Sequence, residues 1–260
     1  MNISISVVIP TYNRAHTVGR AIESILSQTI SVNEIIIVDD GSKDNIAEVM
    51  RNYTSHVNPT IKFFQLEHAG AMHARNHGIK MATSDYICFL DSDDYWLENR
   101  IEAVYESVME YPNHVVVNTC ILADGINDSK WDLKGKSGDV YRDLLSRPWP
   151  MFQGMIAKKE CFDCIGYLDE SIASYQEWET SIRLAKKYMF IYLDIPLFVY
   201  TVNKEKNAIS KSKNADRGYL QVIAKHRKEI VRFCGFRGLI RHMIIYCKLR
   251  VIGIWGKVAG

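Results

Sequence analysis

At 260 residues the chain exceeds the usual single domain, so one large α/β domain with an appendage is expected. Its apolar fraction of 47% and charged fraction of 24% are those of an ordinary soluble globular protein, and a net charge of +2 points as a sum to no class of partner. No apolar run reaches the roughly 20 residues needed to cross a bilayer, and no basic lead-in or small-residue cleavage site marks a leader, so a cytoplasmic, reduced protein is expected.

The first apolar run, 3–9, is β-branched and ends at Pro10, which predicts a buried strand. Thr11, Tyr12, Asn13 and Arg14 form the loop after it. A helix then carries Val18, Ala21, Ile22, Ile25 and Leu26 on one stripe. A second strand over 34–38 runs into Asp39 and Asp40, and Ile46, Val49 and Met50 suggest a second helix. A strand over 61–66, a helix over 70–82 and a strand over 86–90 follow. Strands alternating with helices at this spacing predict a doubly wound, mostly parallel, Rossmann-like sheet flanked by helices. Its polar strand ends would share one edge, where open α/β sheets bind their ligands.

The densest chemistry lies in Cys-Phe-Leu-Asp-Ser-Asp-Asp (88–94), an apolar strand running straight into three carboxylates. Strand interiors disfavour Asp, so the cluster marks a strand end. Carboxylates this close repel one another unless a cation sits among them, and hard oxygen ligands suit Mg²⁺ or Mn²⁺. An acidic turn with Asp94 capping the next helix, where Ile101, Val104, Tyr105 and Val108 recur on one face, is the plainer alternative. Neither GxGxxG after the first strand nor GxxxxGK[ST] is present, so phosphate would need another device, such as a divalent ion with Arg75. Cys161 and Cys164 have CxxC spacing, but no second pair or histidine set completes a zinc site.

Four stretches, Val-Val-Ile-Pro-Thr-Tyr-Asn-Arg (7–14), Ile-Val-Asp-Asp-Gly-Ser-Lys-Asp (37–44), His-Ala-Gly-Ala-Met-His-Ala-Arg-Asn-His-Gly-Ile (68–79) and Phe-Leu-Asp-Ser-Asp-Asp (89–94), resemble the successive signatures of family 2 inverting glycosyltransferases. The resemblance covers about residues 3–210 and implies the GT-A fold. It implies a catalytic domain over 1–212, with a nucleotide-sugar half to about 95 and an acceptor half beyond. It also implies a nucleotide-sugar donor, typically a UDP-sugar, bound by Pro10, Thr11, Tyr12, Arg14, Asp39, Arg75, Asp91 and Ser92. An aromatic face suits a planar base, and a guanidinium suits phosphate oxygens. Asp93, with Asp91, would hold Mn²⁺ or Mg²⁺. Asp40 and Asp44 read as turn and helix-cap residues. His68, His73 and His77 share the third signature but complete no metal motif.

In the family an Asp within an acid-or-amide, Asp, aromatic, Glu motif is the general base. Here Glu177 holds that position, a carboxylate one methylene further out. Glu179 would close a salt bridge or touch the acceptor. Trp131, Trp149 and Trp178 would offer the acceptor aromatic surfaces or anchor their segments to the core. Many relatives carry a metal-binding His just after the position of Tyr200; none lies between 200 and 210 here, leaving Asn203 or water. From Tyr219 onward, Lys225, Arg227, Lys228, Arg232, Arg237, Arg241, Lys248, Arg250 and Lys257 are opposed only by Glu229 and interleaved with apolar residues. Such a basic amphipathic helical extension, 213–260, suits an anionic membrane surface; a core-packing helix or a homo-oligomer interface are the alternatives, and no nucleic acid is expected. Together these imply an enzyme peripheral to the inner face of the cytoplasmic membrane, with an oligosaccharide or lipid-linked acceptor in surface polysaccharide synthesis. The rival readings are a catalytically inactive nucleotide-sugar-binding or scaffold protein of the same fold, and a nucleotidyltransferase, whose Gly-rich basic loop is missing after the first strand.

Overall fold

The computed structural model describes residues 3–123, 128–131, 134–202 and 213–258, the last stretch with side chains over 215–247. Asn203 and 207–210 lie outside the described residues, as do the side chains of Lys248, Arg250 and Lys257. The elements alternate as the hydrophobic pattern predicts: β1 (Ile5–Thr11), α1 (Ala15–Leu26), β2 (Glu34–Asp39), α2 (Ile46–Met50), β3 (Thr60–Gln65), α3 (Ala71–Met81) and β4 (Tyr86–Phe89). After them come β5 (Tyr95–Trp96), α4 (Arg100–Glu110), β6 (Val115–Ala123), β7 (Ser129–Trp131), α5 (Tyr141–Leu144), β8 (Met155–Lys158), α6 (Lys159–Cys164), α7 (Gln176–Ala185), β9 (Phe190–Thr201), α8 (Lys213–Lys225) and α9 (Arg227–Val258).

All strands join one sheet in the order β3-β2-β1-β4-β8-β6-β9-β5, with β7 paired to β6. The first four are parallel, with Thr11 opposite Asp39 and Val8 opposite Phe89. Every residue of β1, β2 and β4 is buried, as continuous β-branched runs demand when helices cover both faces. Because strand side chains alternate, the sheet divides its apolar residues between two cores. Val8, Ile36, Val38, Ile87 and Phe89 face α3, α6 and α7, whereas Val7, Ile9, Ile35, Ile37 and Cys88 face α1, α2 and α4. Beyond β4 the sheet is mixed: β8 is antiparallel to β4 and β6, while β9 lies parallel to β6 with a register shift at Thr119.

Two further features position the site. Gly78 lets α3 lie hard against β1, since a Cβ there would come within 2.4 Å of Val8 Cγ1. Glu34, at the start of β2, accepts hydrogen bonds from Ser6 Oγ at 2.5 Å and Thr83 N at 2.6 Å, and pairs with Lys62 Nζ at 2.5 Å. Burial alone would raise its carboxyl, but those partners outweigh it and hold the group at about 2. The helices after 213 are not a separate layer. Tyr219, Val222, Ile223 and Ile230 belong to the same core as Trp178 and Phe89, so the expected division at 212 is not a packing boundary.

Candidate active site

The adjacent parallel strands β2, β1 and β4 bring their C-terminal ends to one edge, and with them Asp39, Thr11 and the 91–94 carboxylates. The first two loops are sewn together. Asn13, at φ 52°, donates its N–H to Ser42 Oγ at 2.7 Å and accepts from Lys43 N–H at 2.8 Å. Asp44 accepts from Ala15 N–H at 2.8 Å, satisfying a donor at the start of α1. Asp40, buried, accepts from Ala69 N–H and Gly70 N–H, each at 2.9 Å, and so holds the loop that opens α3. Asp39 has no exposed surface; it accepts from Ser42 N–H at 3.2 Å and from the Ser42 hydroxyl. Above these anchors Tyr12 is 40% exposed and stacks on His68, the rings 4.4 Å apart and inclined by 23°. His68 in turn pairs with Asp40 at 2.8 Å. Thr11 Oγ1 is buried with no partner among the described residues.

Arg75 reaches from α3 to the end of β4, where its guanidinium donates to Asp91 Oδ1. Its Cζ lies 4.9 Å from the Phe152 ring centroid, and its Nε is buried with no partner among the described residues. Gln153 Nε2 donates to Asp91 Oδ2 at 2.5 Å and to Asp94 Oδ2 at 3.0 Å. Asp94 also accepts from Thr201 N–H at 2.8 Å. It therefore does not cap α4, which begins after Asn99. Arg14 lies 3.5 Å from Asp93, and Arg20 donates to the Asp93 carbonyl. Burial, then repulsion from Asp91, raises the Asp93 carboxyl; the same causes together with Asp93 push Asp94 well above the ordinary range. Ser92 is buried between them.

Glu177 lies in the first turn of α7, after Tyr175, whose left-handed φ of 61° turns the chain into the helix. A non-glycine residue in that region is strained, and such strain clusters at functional sites. Glu177 is half-buried by surface area, yet its carboxyl is closely surrounded by protein. Burial raises it above 4.5; its own backbone N–H and Arg75 pull it down, and Asp91 pushes it up. Tyr200 is lifted to about 12, first by burial and then by the charges of Asp94, Asp91, Asp93 and Glu177. Glu177 likewise feels the charges of Arg75 and Asp91, so these groups lie within electrostatic reach of one another.

A profile of glycosyl transferase family 2 matches residues 6–168. The chain belongs to this family. It is 33% identical over 220 residues to the glycosyltransferase GlyA of Streptococcus pneumoniae serotype 4, covering 77% of this chain and 31% of that protein. Over 117 residues it is 41% identical to GlyG of the same organism, covering 45% of this chain and 39% of the other. It is 34% identical over 121 residues to WfgD of Escherichia coli, a UDP-Glc:alpha-D-GlcNAc-diphosphoundecaprenol beta-1,3-glucosyltransferase, with 44% and 47% covered. The chain thus spans 31% to 47% of the length of these relatives. Its fold is that of S. aureus TarS 1-349, solved in complex with UDP-GlcNAc: TM-score 0.72, 18% identity, 88% of this chain and 67% of that one. The architecture is accordingly GT-A.

Against this family 2 framework, the acceptor-facing readings of Trp149 and Trp178 need correction, and Glu179 takes the salt bridge expected of it rather than a place at the acceptor. Trp178 has no exposed surface: its indole N–H donates to Leu144 O at 2.7 Å and its ring lies 5.3 Å from that of Tyr219. Trp149 is buried edge-on against Phe190 and Tyr192. Glu179 is also fully buried, bound by Arg183 at 2.8 Å and Lys225 at 2.5 Å; burial would raise it, but His226, Arg183 and Lys225 hold it at about 2. None of the three offers a surface to an acceptor. Apolar burial and a paired charge won over the loop and helix-end positions that suggested exposure. Trp131 remains open, 38% exposed on β7.

The histidines of the third signature disperse. His73 pairs with Glu170 at 3.1 Å, His77 packs edge-on against Phe64, and neither joins the Asp cluster. Among the described residues no group of three His, Cys, Asp or Glu is arranged to hold a metal on its own. Asp91 and Asp93 nonetheless fit a divalent ion, being neighbouring hard oxygen donors, with the Asp91 charge adding to the burial that raises Asp93; Mg²⁺ is commonly held by one or two carboxylates plus substrate phosphates. Gln153 escaped the sequence reading. A lone Gln between Phe152 and Gly154 carries no signal, and its role exists only because β8 follows beside β4.

Proposed function

We propose that the chain is a metal-assisted inverting glycosyltransferase, moving a sugar from a nucleotide sugar, a UDP-sugar, to an acceptor hydroxyl. The observation that carries this reading is the convergence of Glu177, Arg75 and Asp91 at the C-terminal edge of β1, β2 and β4. That arrangement pairs a buried base with a cationic donor beside paired carboxylates. Tyr12 offers an exposed ring for a base, and Thr11 Oγ1 and Arg75 Nε are buried donors without a partner among the described residues. The orphaned Arg75 Nε suits a phosphate oxygen.

Asp93 and Asp91 would hold Mn²⁺ or Mg²⁺, whose charge offsets that of a diphosphate leaving group. Glu177 takes the proton of the acceptor hydroxyl as that oxygen bonds to the anomeric carbon and the carbon–diphosphate bond breaks. Its burial-raised carboxyl is a stronger base than an exposed one, nearer the pH at which a general base works well. A single displacement inverts the anomeric carbon and requires no side-chain nucleophile. WfgD acts on GlcNAc-diphosphoundecaprenol, which supports a lipid-linked saccharide as acceptor here; the setting we propose for it is surface polysaccharide synthesis at the inner face of the cytoplasmic membrane.

The test is a panel of nucleotide sugars incubated with the protein and Mn²⁺, with and without EDTA, scoring released nucleoside diphosphate. Metal-dependent release from one or two UDP-sugars, lost in Glu177→Gln when acceptor is supplied, is the expected result. No release together with no nucleotide binding would leave a scaffold protein of the same fold.

A further inference from the structure

The C-terminal helix α9 has two faces of opposite character. A break at Gly235, where φ is 68°, sets the direction of the part that follows. On its inner face His242 is buried, with Nε2 2.9 Å from Leu145 O and Nδ1 2.7 Å from the Tyr219 hydroxyl. The Leu145 carbonyl can only accept, so Nε2 carries the proton and Nδ1 accepts from Tyr219. The His242 ring lies 5.7 Å from that of Trp178, the neighbour of Glu177, which seats α9 on the side of the fold that carries α7.

Among the described residues the outer face has no partner. Phe236 is 73% exposed, Ile240 58%, Met243 47% and Ile244 52%, and their three- and four-residue spacing puts them on one helical face. Exposed apolar residues scattered singly are ordinary; a contiguous stripe of four marks an interaction surface. Arg237 and Arg241 are exposed beside the stripe, and residues 230–260 contain no Asp or Glu. Among the described residues no helix is long and apolar enough to cross a membrane.

We infer that this face, Phe236, Ile240, Met243 and Ile244 with Arg237 and Arg241 at its border, lies in the interface of an anionic lipid bilayer. It deepens the membrane placement proposed above and rests on it only for its setting, because the transfer chemistry does not enter the argument. Apolar side chains reaching the acyl boundary and arginines meeting anionic headgroups are what an in-plane amphipathic helix requires. Charge decides between this occupant and a second copy. A two-fold interface through the stripe would bring like arginines together with no acid on that face to offset them. Nucleic acid would satisfy the arginines and leave the apolar stripe in water.

Removing the chain beyond 212 would be a poor test, since it also takes Tyr219, Val222 and Ile230 out of the core. The test is flotation of the full chain with vesicles of phosphatidylcholine, alone or with phosphatidylglycerol. Binding is expected only with phosphatidylglycerol and should weaken as salt rises. Ile240→Glu combined with Ile244→Glu should reduce partitioning by more than about tenfold. Arg237→Glu and Arg241→Glu should each cost about fivefold or more. Met109→Glu, which alters a side chain 48% exposed on α4, should change nothing. Absence of vesicle binding by the unaltered chain overturns the proposal, as does full binding by the double substitution. So does a dimer in light scattering that the double substitution dissociates. Nucleotide release from a UDP-sugar and nucleotide binding, followed in parallel, keep the two readings separate: release without flotation sinks only the membrane face, and flotation with neither release nor nucleotide binding sinks only the enzyme.

Discussion

On the β1–β2–β4 side of the sheet, each polar loop is fastened to the next by short bonds: Asn13 to Ser42 and Lys43, Asp44 to Ala15, Asp40 to Ala69 and Gly70. On the β6–β9 side the polar residues are set from far away in the chain. Gln153 reaches Asp91 across 62 residues, Thr201 reaches Asp94 across 107, and the helix carrying Glu177 is clamped through Glu179 by Lys225 of α8. The first side is a cradle held by bonds between its own loops. The second places one base, and that placement depends on elements folded last in chain order. A disturbance in α8 or α9 can therefore reach proton transfer while leaving donor binding alone.

Glu177→Gln is the largest test of that contrast. Loss of the base should lower kcat by about 10²–10⁴-fold with nucleotide-sugar affinity unchanged. An equal loss of donor binding would mean the two sides are not separable. The pH profile sharpens the same point. Because burial raises the Glu177 carboxyl above 4.5, turnover should climb with pH through a midpoint above that value. A rate limb at or below it would remove Glu177 from the role.

Glu179→Ala should cost about 3 kcal/mol of stability, since the largely buried Arg183 would lose its carboxylate, whereas Lys225 keeps Asp169 at 2.6 Å. Chemical denaturation reads this directly. A smaller group of effects comes from acid. Glu34 and Glu179, one anchoring each side, are both held at about 2 against an ordinary 4.5. Their stabilisation is present above 4.5 and fades as pH falls toward 2, so thermal melts between pH 5 and 3 should show a slope that Glu34→Gln and Glu179→Gln each reduce. The smallest expected effect is that of Trp131→Ala. At an exposed position on β7 it should change stability by no more than about 0.5 kcal/mol and leave donor hydrolysis intact, with any change confined to the acceptor KM.

The two sides also differed in how far they could be read from sequence. The buried runs of β1, β2 and β4 and the acids behind them are local signals: hydrophobicity with a polar stop locates each strand end, and parallel winding gathers the ends. The Asp40 and Asp44 bonds follow the turn and cap chemistry expected of those residues, although each serves a neighbouring loop rather than its own. Asp94 was misleading because the residues that claim it, Gln153 and Thr201, become neighbours only after β8 and β9 enter the sheet. Trp149 and Trp178 looked like loop and helix-end aromatics, and nothing periodic around them announced the core that receives them. The α8 helix reads as basic and polar by composition; its few apolar residues, Tyr219, Val222 and Ile223, are the ones that dock.

At position 78 the side chain is a single hydrogen, and Val8 Cγ1 occupies the place a Cβ would take. Arg75 stands one turn earlier on the same helix. The width of that hydrogen consequently acts as a spacer gauge for the distance between guanidinium and Asp91, two groups that Gly78 never touches. Even the smallest enlargement, Gly78→Ala, would work as a wedge under α3, lifting the arginine off its carboxylate while every residue of the four signatures' charged chemistry stayed in the chain.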